Sequence, residues 1–142
     1  MSSDRDVFDL ERFLDAQAGV YERAREELRA GQKRSHWMWF VFPQVRGLGS
    51  SEMAVRYGIS GLGEARAYLD HAVLGARLQE CTEIVCGVER RMVGEIFGYP
   101  DDMKFHSSMT LFARVEEGGG VFLRALERYF AGEMDRGTLA RI

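Results

Sequence analysis

Apolar residues recur at three- and four-residue intervals in one short segment after another along this chain, and a glycine or proline follows almost every segment. Side chains at that spacing share one face of a helix, so each segment predicts a short helix with a single side to bury. The clearest spans residues 9–30, with Phe13, Ala16, Val20, Ala24 and Leu28 on one face and charges on the other. Asp9 is placed to cap it, Phe8 and Phe13 to staple its entry, and Gly31 to end it in a left-handed turn. Ser35 is placed to cap a short helix that Pro43 ends, and Ser50 or Ser51 a helix through Tyr57 that Gly58 ends. Further helices are predicted from residue 60 onward, over 72–88, over 90–97, from Asp101 with Phe105, Met109 and Phe112 as its stripe, and over 121–130. Asp135 is placed to cap one last turn. The run "WFVFPQV" is rich in β-formers but has no partner strand. The expected fold is therefore all-α, a single compact domain of six to eight helices with no substantial sheet, with 1–8 a tail and 133–142 a short terminal segment.

A chain of 142 residues with 46% hydrophobic and 29% charged side chains has the composition of one globular domain. Its formal charge of −3 argues against DNA, RNA or an acidic membrane as partner, because each demands a surplus of Lys and Arg. The start "MSSDRDVFDL" has no long apolar run, which predicts neither a signal peptide nor a membrane span and a cytoplasmic setting. Cys81 and Cys86 on one helix are too far apart for a disulfide, at about 1.5 Å rise per residue, and are expected as reduced, mostly buried thiols. No pair of histidines shares a helical turn and no C-x-x-C or H-E-x-x-H occurs, so neither a metal nor another cofactor is expected.

The window "KRSHWMWFVFPQVRGLGSS", residues 33–51, holds both tryptophans, His36, Gln44 and Arg46 without a carboxylate, and Glu27 and Glu52 are the acids that flank it. A local positive field there suits an anion. On a helix Trp37 and Trp39 stand about 200° apart, so they meet different neighbours. Each reads as a core anchor or as a ring that stacks on a flat ligand. The loop "GLGSS" would present free N–H groups, or is an ordinary turn. "DDMKFHSSMT" offers Asp101, Lys104, Ser107, Ser108 and Thr110 beside its apolar stripe, toward the rim of that helix. A Ser107–His106 nucleophile is disfavoured, since adjacent helical residues point apart.

Together these predict a pocket between residues 33–51 and the 101–110 helix for a small anionic, nucleotide-like ligand. Lys33, Arg46 and Lys104 would supply charge, Trp37 or Trp39 a stacking face, and His36, Gln44, Tyr57 and Ser108 hydrogen bonds. If the pocket is enzymatic, His36, Glu64 and Asp102 are the candidate proton carriers. The alternative is a protein-interaction module that exposes the aromatic stretch 36–45.

The segments "GQKRSHWMWFVFPQVRGLGSS", "YGI", "EARAYLDHAVLGARL", "IFGYPDDMKFHSSMTLF" and "YFAGEMDRGTL" resemble the bacterial family catalogued as domain of unknown function number 1810. The resemblance covers nearly the whole chain and implies a compact helical fold of unassigned activity. A second likeness, to the helical NADAR N-glycosidases of ADP-ribose-type chemistry, rests on the order "SSEMAVRYGI", "LGARLQECTEIV", "DDMKF"; their D-x-W-G element is absent here.

Overall fold

The computed structural model describes residues 6–142, so the expected tail over 1–8 lies partly outside the described residues. Ten helices follow one another among them: α1 Glu11–Gln17, α2 Tyr21–Arg29, α3 Met38–Val41, α4 Glu52–Arg56, α5 Leu62–Asp70, α6 Leu74–Cys86, α7 Val93–Phe97, α8 Asp101–Val115, α9 Gly120–Phe130 and α10 Arg136–Leu139. The fold is all-α, with more helices than the six to eight expected. No strand forms among the described residues; "WFVFPQV" contributes α3 and one isolated parallel bridge, Val45 to Ile59.

One helix is added by a break that periodicity alone does not reveal. The helix expected over 9–30 is two, because Ala18 turns extended (ψ 125°) and Gly19 takes φ 76°. The bend lets α1 bury Phe13 and Gln17 toward α3 while α2 buries Tyr21, Ala24 and Leu28 against α6. A straight helix reaches only one of those partners with one apolar stripe. Asp9 is not the cap: it sits at φ 54°, and the Asp6 carboxylate receives the N–H groups of Leu10 and Glu11 at 2.7 and 2.9 Å. Gly31 does end α2, at φ 75°. Ser51 caps α4 by accepting from Ala54 N at 3.1 Å, and Asp135 caps α10 by accepting from Thr138 N at 2.9 Å. Ser35 caps nothing; its hydroxyl donates to Glu27 instead.

Helix α8 is the axis of the molecule, packed by α9, α5, α10, α7 and α3. Nine of its fifteen residues are buried, so it has no single dry stripe. Ser107, Ser108 and Thr110, expected near the rim, are inside at 6%, 0% and 0% exposure. Small side chains let neighbouring helices close on α8, and two of the hydroxyls are satisfied locally, Ser107 by Met103 O and Thr110 by His106 O. Around Phe105 the core is aromatic: Phe42 meets it edge-on at 5.1 Å and Phe97 stacks at 4.6 Å. Such pairs add about 0.5–1.5 kcal/mol each beyond the area they bury.

A buried polar knot ties α1, α3, α5 and α6. The Gln17 amide donates to Phe40 O (2.7 Å) and to the Tyr68 hydroxyl (3.1 Å), and its oxygen accepts from Arg77 (3.0 Å). Burial pushes the Tyr68 phenol well above its ordinary range, so it stays neutral and donates to Phe40 O. Both cysteines are free on α6; burial pushes the Cys81 thiol up to about 12 and raises that of Cys86. No helix among the described residues is long and apolar enough to cross a membrane.

Candidate functional site

Glu27 organises the entry to the aromatic window. Its Oε1 accepts from Arg34 N, Ser35 N and the Trp37 indole N–H at 2.8, 3.0 and 2.9 Å, and its Oε2 from the Ser35 hydroxyl at 2.6 Å. Partial burial works against the charge, but these donors outweigh it and hold the carboxyl at about 2. Trp37 is consequently locked in the core at 0% exposure. The turn then continues into α3, and Trp39, pointing the other way, stays half-buried. Each tryptophan thus takes a different one of the two environments expected for such a pair.

Beyond Pro43 the chain leaves the core, runs through "GLGSS" and α4, and returns. Arg46 N donates to Ile59 O (2.7 Å) and Ile59 N to Gln44 O (2.8 Å), which pins the two ends of this excursion side by side. Gly58 permits the closure: a Cβ there would lie 2.9 Å from Ala54 O and 3.0 Å from the Arg46 Cα. Between this excursion, the start of α8 and the entry to α10 lies a cleft of about 540 Å³, within the usual range of small-molecule sites.

Trp39, Gln44, Tyr57 and Lys104 line it, so four of the residues expected at a pocket meet there. Their meeting depends on a charge array across the cleft's flank. Lys33 pairs with Asp101 at 2.8 Å, Lys104 pairs with the same carboxylate at 3.2 Å, and the Lys33 and Lys104 ammoniums sit over the Trp37 and Trp39 rings at 5.2 and 4.8 Å. One carboxylate therefore fastens residues 33–39 to α8.

The other expected residues do not line the cleft. Lys33 is nearly enclosed, at 7% side-chain exposure, and also donates to Ser35 O. Arg46 is exposed and reaches Gly58 O at 3.3 Å. His36 is exposed and makes no hydrogen bond among the described residues. Ser108 is buried without a hydrogen-bond partner. Glu64, 2% exposed, accepts from Ser60 N and pairs with Arg12 at 2.9 Å, which fastens α5 to α1. Asp102 receives Met103 N at the head of α8. Of the cations in the 33–51 window, Lys33 is neutralised by Asp101, which arrives from α8, while the flanking Glu27 folds back onto the start of the window.

Two further residues line the cleft. Asp135, expected as a cap, also faces the cleft; its Oδ2 accepts from Ser107, from Thr138 N and from the Thr138 hydroxyl at 3.2, 2.9 and 2.7 Å. Ser107 lines the cleft beside it. Lys104 and Asp135 are its charged lining side chains, a balanced pair. No group of three or more His, Cys, Asp or Glu side chains among the described residues would hold a metal. As for the aromatic stretch 36–45, Trp37, Met38, Phe40, Val41 and Phe42 are buried, leaving Trp39 as its half-exposed ring.

A family model described as protein of unknown function (DUF1810) matches residues 7–142. The chain belongs to this family. Within reach of the DUF1810 fold is a solved structure, that of the conserved hypothetical protein Rv1873 from Mycobacterium tuberculosis, 61% identical, covering 95% of this chain and 96% of that one with a TM-score of 0.94. Comparison with curated proteins gives no match.

Proposed function

We propose that this DUF1810 protein binds a small anionic, nucleotide-like molecule in the cleft between the 39–58 excursion and α8. One observation carries the reading: an indole face and an ammonium, Trp39 and Lys104, share a cleft wall 4.8 Å apart. Trp39 and Tyr57 would receive a flat ring, and Gln44 would address its edge. Lys104 would turn to the anionic group. Asp101 keeps Lys33 when Lys104 leaves it, so the move strands no carboxylate in a half-buried place. Gly49, Ser50 and Ser51 line the opposite wall, and among the described residues their N–H groups donate to no protein acceptor. The reading is of binding; His36, Glu64 and Asp102 lie off the cleft and have no part in it.

Thermal denaturation with nucleoside monophosphates, sugar phosphates and free nucleosides tests this. A ligand at about one hundred times its Kd adds ~2.7 kcal/mol to stability, a rise of several degrees. Trp39→Ala and Lys104→Met should abolish the rise and His36→Ala should keep it. A panel at millimolar concentration that leaves Tm unmoved would remove the proposal.

A further inference from the structure

A second cleft, of about 480 Å³, lies where the α6–α7 connection faces α9. Arg90, Arg91, Met92 and Val93 form one side, Arg128 and Tyr129 the other. Three guanidiniums line it without a carboxylate, on a chain whose formal charge is −3. The first cleft, by contrast, balances Lys104 against Asp135.

The arginines are not all explained by the fold. Arg128 has structural work: it donates to Val88 O at 2.6 Å and lies over Tyr129, whose hydroxyl holds Val85 O at 2.7 Å, so α9 covers the carbonyl end of α6. That also fixes one guanidinium in place. Arg90 and Arg91 make no hydrogen bond or ion pair among the described residues. Glu95, the acid nearest in the following turn, is occupied by Met92 N at 2.8 Å, and Glu89, whose charge reaches Arg128, does not line the cleft. Arg90 also holds φ 60°, a left-handed backbone that glycine adopts freely and arginine does not. A strained, unpaired arginine beside two others is poor for stability and good for gripping an anion.

We propose that this cleft is a binding site for the phosphoryl group of a small phosphorylated molecule. Planar guanidiniums offer forked N–H pairs that match phosphate oxygens, and two of the three are unengaged. Exposed Met92 and half-buried Val93 would cover the apolar part of the ligand. The site is separate from the first cleft, from which α7 divides it along the chain, and does not depend on that cleft's ligand.

The test is a pyrophosphate titration followed by backbone amide shifts, with sodium chloride at matched ionic strength as control. Saturable shifts should centre on residues 90–93 and 128–129. Arg91→Ala should weaken binding about tenfold, and Lys104→Met should leave it intact. Arg90→Gly separates function from folding: it should weaken pyrophosphate about tenfold while raising Tm by about 2–4 °C, because glycine relieves the left-handed strain. Shifts that merely follow ionic strength, shifts centred on the first cleft, or wild-type affinity in both arginine variants would overturn the proposal.

Discussion

Replacing Glu27 with glutamine should loosen the entry to the aromatic window by a calculable amount. The carboxyl is held at about 2 against an ordinary value of 4.5. At about 1.4 kcal/mol per pKa unit this difference corresponds to ~3 kcal/mol of charged-form stabilisation. Water and salt reach the partly exposed side chain, so about 2 kcal/mol is the figure to expect. Glutamine keeps the shape and an acceptor for the three N–H donors, and removes the charge that strengthens them. The sign of the pH dependence follows from the lowered value. Wild type has the full benefit above the unfolded carboxyl's 4.5 and loses it as pH falls toward 2. By pH 3 more than half should be gone, about 1 kcal/mol remaining. Urea unfolding of wild type and Glu27→Gln, read by tryptophan fluorescence at pH 7 and pH 3, measures both gaps, and the other carboxylates cancel in the difference. A gap under about 0.5 kcal/mol at pH 7, within the range of ordinary surface substitutions, or one that does not narrow at pH 3, would refute the reasoning. Glu27→Ala should lose more at pH 7, about 3 kcal/mol, since it leaves the buried Trp37 N–H without its acceptor.

The two tryptophans should part company under mutation: Trp37→Ala removes a fully buried anchor at about 3–5 kcal/mol, whereas half-buried Trp39→Ala should cost about half that in urea unfolding. Gly58→Ala forces a methyl against Ala54 O and the Arg46 backbone, and should lower stability by about 1–3 kcal/mol while opening the Val45–Ile59 bridge, visible as faster amide exchange at Arg46 and Ile59. With the Cys81 thiol pushed up to about 12 and that of half-buried Cys86 raised, native protein at pH 8 should react slowly with a disulfide reagent and release two equivalents rapidly in urea.

Much of the local chemistry was legible in the chain, though Asp6 rather than Asp9 takes the first N–H groups of α1 and Ser35 caps nothing. Periodicity located most of the helices, the Ser50–Ser51 pair and Asp135 marked two caps, and Gly31 a stop, because each depends on backbone groups within a few positions. The "KRSHWMWFVFPQ" motif likewise pointed to the family, and Trp37 and Trp39 meet different neighbours as expected, although Trp37 stands just outside α3 with φ −143°. What sequence did not reveal is set by partners far along the chain. Gly19 bends α1 from α2 because α3 and α6 lie in different directions. Ser107, Ser108 and Thr110 sit inside because α8 is enclosed by helices on nearly every side. Lys33 of the basic window is neutralised because Asp101 folds onto it, and three arginines gather at a second cleft because α9 returns to the end of α6. Short-range hydrogen bonds and spacing are properties of the local chain; the sign of an electrostatic field and the dryness of a helix face are sums over whatever packing brings near, and only the tertiary structure performs that sum.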